Sequence, residues 1–236
     1  MASERYLTET PLLDYSNPDI QDLIRGNKWN DLSDYEKIGS VYSFVQNDIL
    51  FGYNESDEIP ASKVLKDGYG QCNTKGTLLM ALFRAVGIPC RFHGFTIDKD
   101  LQKGAIKGIP YKLAPKEIIH SWVEILYDEK WINLEGFILD LTYLKSVQKT
   151  FPNEKEGFCG YGIATTNFQS PDIEWTGNDT YIQKEGINQD FGIFDDPDAF
   201  YLKHGSNLSG IKKILYKYVV RKLMNSNVNT IRQRTF

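Results

Sequence analysis

A cysteine at 72, a histidine at 120 and a glutamate at 135 are residue types that together can break an amide. A thiolate is a strong nucleophile, an imidazole takes and returns protons near neutral pH, and a carboxylate can orient the imidazole. Cys72 lies in Gly68-Tyr69-Gly70-Gln71-Cys72-Asn73-Thr74-Lys75-Gly76. The glycines allow a sharp turn. Leu78, Leu79, Leu82, Phe83 and Val86 then recur at helical spacing until Gly87 and Pro89 stop them. The spacing predicts a buried helix with Cys72 in its first turn. Unpaired backbone N–H groups and the helix dipole favour an anion there and offer a donor to an oxyanion. A lone cysteine at a helix start is otherwise just a small buried residue, so the histidine and the acid decide.

Those two come from a predicted hairpin. Ile118 to Tyr127 alternates, Asp128-Glu129 can turn, and Lys130 to Phe137 alternates again. A two-residue loop sets Tyr127 opposite Lys130, Trp122 opposite Glu135 and His120 opposite Phe137. Val123, Ile125, Ile132 and Leu134 then make a core face, and His120, Trp122, Glu124, Asn133 and Glu135 make the other. His120 and Glu135 are diagonal neighbours with Cβ atoms about 7–8 Å apart, a gap that two side chains close. His93, in a predicted strand from Cys90 to Ile97, reads as a hydrogen-bonded strand histidine and a lesser candidate for the same site.

In order and spacing, Gly70-Gln71-Cys72, the run from Leu82 to Arg91, His120-Ser121-Trp122-Val123-Glu124, and Trp131 followed by Glu135 resemble three blocks of one family. It is the transglutaminase-like superfamily, a branch of the papain-like cysteine enzymes. The resemblance covers about residues 35–145. It implies an α+β, papain-like core with a nucleophile helix packed on an antiparallel β-sheet. It also implies a triad of Cys72 as nucleophile, His120 as general base and Glu135 as the acid, where the family usually has Asp. An oxyanion hole needs two donors. The backbone N–H of Cys72 is one; Gln71, Gln46 and Tyr69 are the candidates for the other. The expected activity is acyl transfer through a thioester on a peptide, protein or amide substrate. A peptidase or amidase is favoured, because water needs no second binding site. A cross-linking protein-glutamine acyltransferase is the alternative, and a non-catalytic interaction module that keeps the fold is a third reading.

The totals fit this. A chain of 236 residues with 41% apolar and 25% charged residues can bury a real core. No apolar run approaches the ~18 residues that span a bilayer, and the start lacks a signal-peptide layout. Cysteines at 72, 90 and 159 cannot all pair, so a reducing, cytoplasmic setting is expected. No metal-ligand spacing, cofactor motif or basic aromatic groove is present, so no metal, no cofactor, no nucleic acid and no membrane partner is expected. Net charge is −4, yet the eight Lys/Arg from Lys203 onward stand without an acid. That basic end is expected to fold back on the acidic body.

The expected organisation is an N-terminal helical extension over 1–30, a catalytic core over 31–150 and a C-terminal extension over 151–236 with a terminal basic helix on the core. Asn17-Pro18 and Ser33 with Glu36 read as helix starts. Asp98 to Lys116 reads as a long loop arching near the site. A helix from Tyr143 to Phe151 and another begun by Asp196-Pro197 are also expected. The last helix, started by Ser209, should dock through an arc of Ile211, Ile214, Leu215, Tyr218 and Val219.

Overall fold

A computed structural model describes residues 4–108, 111–112, 114–207 and 214–234. Its centre is helix α4 (Cys72–Ala85), in which every residue from Cys72 to Arg84 is buried. The apolar stripe read from the sequence covers one side of this helix. The polar remainder is enclosed as well, because helices α2 (Asp34–Asn47) and α3 (Ala61–Asp67) and the sheet close around it. Lys75 shows how: its Nζ donates to the carbonyls of Gln46 at 3.1 Å and Ile138 at 3.0 Å. Burial pushes its pKa down to about 7.

Helix α1 (Pro18–Asn27) starts at the Asn17 cap, which accepts the Asp19 N–H. Helix α2 starts with the Ser33–Glu36 capping box. Ile20, Ile24, Val41, Val45, Leu79 and Phe83 belong to one hydrophobic core, which also takes in Val228 and Ile231 from the C-terminal end. Strands β1 (Leu50–Phe51) and β2 (Tyr69–Gly70) run parallel beside the start of α4. Among the described residues, no helix is long and apolar enough to cross a membrane.

The sheet has four antiparallel strands: β3 (Cys90–Asp98), β4 (Glu117–Tyr127), β5 (Lys130–Leu134) and β8 (Ile187–Phe194), in the order β5-β4-β3-β8. The hairpin register is as expected, with Tyr127 opposite Lys130. Asp128 and Glu129 both take positive φ, as a type I′ turn demands. The ladder, however, ends at Val123 opposite Leu134. The pairs Trp122–Glu135 and His120–Phe137 do not form, because Glu135 leaves the strand to bond the segment at Thr180. Strand β8 is half exposed along its length. It shows little apolar alternation, which is why the sequence pattern missed it.

Past the sheet, helix α5 (Leu141–Thr150) begins two residues before the expected start, capped by Asp140. The Gly-rich turn after it forms a small hairpin of β6 (Phe158–Gly160) and β7 (Ile163–Thr165). Helix α6 (Pro197–His204) is capped by Asp196. Helix α7 (Arg221–Arg232) follows a π-helical turn over Tyr216–Val220. The expected docking arc needs correction here. Ile214, Leu215, Tyr218 and Val219 are exposed, while Met224, Val228 and Ile231 are buried. A π turn adds a residue to the helical repeat and rotates the buried face. Ser209 and Ile211 lie outside the described residues.

Candidate active site

Cys72 opens α4, and Gln71 caps it. The Gln71 side-chain oxygen accepts the Asn73 N–H at 2.7 Å, and its amide nitrogen donates to Asp57 at 2.6 Å. The Cys72 thiol donates to the same Gln71 oxygen at 3.0 Å. Gly70 is required by close approach, since a Cβ there would stand 2.7 Å from Thr74 Oγ1 and 2.9 Å from Lys75 Cγ. The backbone N–H of Cys72 belongs to the first turn, where no carbonyl of the helix can accept it. It is therefore free for an oxyanion.

The other oxyanion candidates fare differently. Gln71 presents an acceptor to the thiol and directs its donor at Asp57, so it is a helix cap. The two amide hydrogens of Gln46 go to the carbonyls of Gly136 at 2.9 Å and Ile173 at 3.3 Å. That side chain braces the turn after β5. The Tyr69 hydroxyl accepts from Arg221 at 3.4 Å.

His120 comes from β4 and is wholly buried. Its Nε2 stands 2.7 Å from Glu135 Oε1. With the proton held on that nitrogen, Nδ1 is the acceptor, and among the described residues it has no hydrogen-bond partner. Burial alone would push the imidazole down. The Cys72 sulfur beside it, and then Glu135, outweigh burial and raise its pKa to about 10.

Glu135 is held on every side. Its second oxygen accepts the N–H groups of Ile182 and Gln183, both at 2.8 Å. Its own N–H donates to Thr180 O at 3.0 Å. Gly136 is the next residue because a Cβ there would meet Tyr42 Oη at 2.5 Å and Ile173 Cα at 2.7 Å. The extra methylene of a glutamate is thus taken up by a carboxylate fixed from the 180–183 segment. No motif in the sequence announces that segment, because its contribution is backbone N–H groups.

The thiol borders a cavity of about 260 Å³. Tyr53 and Gln102 share it, joined by a hydrogen bond of 2.5 Å from the tyrosine hydroxyl to the glutamine oxygen. Neither carries a sequence signal, since each stands alone in its stretch. His93 stays outside: both its ring nitrogens are bound to carboxylates.

Residues 22–136 match the family model of the Transglutaminase-like superfamily. That segment is similar to the core of that superfamily. It contains Cys72, His120 and Glu135, so the three residues brought together by the fold all fall within the matched stretch. Among curated proteins none matches the chain. Among solved structures, a candidate cysteine protease from Cytophaga hutchinsonii is 12% identical with a TM-score of 0.49, over 84% of this chain and 48% of that one. The chain thus spans about half the length of that protein. Red sea bream transglutaminase is 14% identical with a TM-score of 0.31, over 56% of this chain and 25% of that one. The matched stretch carries the nucleophile, base and acid candidates, while the 180–183 segment that holds Glu135 lies beyond it in sequence.

Proposed function

We propose that the protein is a cysteine acyl-transfer enzyme acting on peptide or amide bonds, with hydrolysis as its outcome. The observation that carries this is the buried His120–Glu135 pair whose free Nδ1 faces the Cys72 thiol at a helix start. The Cys72 thiol gives its proton to His120 Nδ1, its sulfur attacks the carbonyl carbon, and the Cys72 N–H stabilises the oxygen as charge develops on it. The C–N bond breaks, His120 gives its proton to the departing amine, and a thioester remains. Water then gives a proton to His120 and attacks the thioester, the C–S bond breaks as His120 returns that proton to the sulfur, and the acid product leaves. Glu135 holds the ring in one tautomer throughout.

Transamidation shares every step but the last, with an amine in place of water. Incubating the protein with a peptide mixture, with and without a primary amine, separates the two by mass. Cleaved or deamidated products unchanged by the amine are expected. Amine incorporation that outruns hydrolysis would make it a transferase. No product from wild type beyond that from Cys72→Ala would remove the enzymatic reading.

A further inference from the structure

The cavity at Cys72 has an uneven build. At the thiol end stand Gln71 and Asp57, but the walls running away from it are mostly apolar and come from separate parts of the chain, among them Ile106, Ile118, Val220 and Met224. Two of these, Val220 and Met224, come from the C-terminal helical segment, well beyond the matched stretch.

That wall is fastened in place. Asn225 grips the backbone of Tyr53 twice, accepting its N–H at 2.7 Å and donating to its carbonyl at 3.0 Å. Asn227 donates to the carbonyl of Gly104 at 2.9 Å, in the loop that supplies Ile106. Arg232 is paired with Asp140 at 2.8 Å, and Lys217 with Glu55 at 2.8 Å. These bonds reach separate stretches that line the cavity, at Tyr53 and Glu55 and beside Ile106, and hold the helix as a fixed side of a chamber. A cavity of roughly 150 Å³ lined by aliphatic and aromatic side chains stays dry and takes benzene. At about 260 Å³ this one has room for more.

We infer that the chamber is a specificity pocket which receives a bulky apolar group on the acyl side of the bond that Cys72 attacks, with Val220 and Met224 setting its depth. This rests on the acyl-transfer reading above. The polar end keeps the reacting carbonyl at the sulfur, and burial of the apolar group supplies the binding free energy.

The test compares alkylation of Cys72 by iodoacetamide and by N-naphthylmethyl iodoacetamide, each rate divided by that of glutathione with the same reagent. In both cases the sulfur displaces iodide, so the ratio reads the pocket. The naphthyl reagent should be favoured at least ~10-fold, what burial of some 60 Å² of apolar surface supplies. Val220→Trp, which fills the chamber, should bring the ratio near unity. Met224→Ala, which deepens it, should move the preference toward an anthracenylmethyl reagent. A wild-type ratio near unity, or one indifferent to Val220→Trp, overturns the inference.

Failure of the underlying reading looks different: plain iodoacetamide then labels slowly and without regard to His120→Ala. The pocket is in that case read by calorimetry of N-naphthylmethyl acetamide with the Cys72→Ala protein. Binding that Val220→Trp abolishes supports an apolar pocket, and absence of binding overturns it.

Discussion

Two histidines stand on the same face of the sheet, on neighbouring strands, and they differ in how their ring nitrogens are used. His93 lies opposite Trp122 in the β3–β4 ladder, and Phe95 lies opposite His120. Phe95 links them, with ring centroids 4.2 Å from His93 and 6.2 Å from His120. Both imidazoles touch carboxylates. For both, burial pushes the pKa down and polar neighbours push it up further. The difference is one nitrogen. His93 Nδ1 stands 2.6 Å from Glu124 and its Nε2 stands 2.9 Å from Asp190, so both are used. His120 binds Glu135 through Nε2 and keeps Nδ1 open beside a thiol. A carboxylate partner and a raised pKa therefore do not mark a catalytic histidine. What separates His120 is a ring nitrogen beside a thiol with no partner among the described residues, from which a proton can be exchanged.

The largest expected effect follows from removing each ring. His120→Ala should cut turnover by roughly 10²–10⁴, the usual worth of a general base. His93→Ala should change it by no more than about 3-fold, in keeping with a positioned acid–base group carrying the effect. Comparable losses in the two variants would erase the distinction. In wild type, the His120-dependent rate should decline as pH rises through about 10, where the imidazolium is lost.

Next comes Glu135→Gln. An amide cannot accept both the His120 Nε2–H on one side and the two backbone N–H groups of Ile182 and Gln183 on the other. Turnover should fall by up to ~10⁴, as when an orienting carboxylate becomes an amide in other triads. Stability should fall by about 1–3 kcal/mol from the buried donor left unpaired. Urea unfolding and turnover on the same sample check both. At the His93 site the corresponding change, Glu124→Gln, should cost about 2 kcal/mol of stability by weakening bonds to Arg91 and His93. Turnover should barely move, since Glu124 is bonded away from the thiol.

What was legible in the sequence tracks how local the physics is. Helix α4, the Asn17 and Ser33 caps and the hairpin register as far as Val123 opposite Leu134 follow from spacing within a few residues, and the fold keeps them. Cys72, His120 and Glu135 could be paired because a two-residue turn fixes the register between two of them. The partner of Glu135 could not be read, because Ile182 and Gln183 offer only N–H groups, which every residue but proline possesses. Gln46 was a reasonable donor by type, yet the carbonyls of Gly136 and Ile173 claim it through contacts more than 80 residues away. The π turn over Tyr216–Val220 shifted the buried face of the last helix, and no residue type signals such a turn.

The smallest expected effect sharpens the comparison most. A histidine whose folded pKa is raised binds more protons in the native than in the unfolded state. Its stabilisation is complete below the ordinary value of about 6.5 and is lost as pH rises through the folded value. For His120 that loss starts just above the ordinary value and is complete only above about pH 10. The decline above the ordinary value therefore has a share from each ring, and the share of His93, whose bonds to Glu124 and Asp190 strengthen when the ring is charged, is the part that His93→Gln removes. Urea midpoints measured from pH 6 upward should fall in wild type and run flatter in His93→Gln. The pH profile of Cys72 alkylation should be the same in both proteins, because His93 makes no contact with the thiol. If His93→Gln shifted that alkylation profile while leaving the urea midpoints alone, the roles assigned to the two histidines would have to be exchanged or shared. The aromatic chain through Phe95 would then be the route by which one ring senses the other.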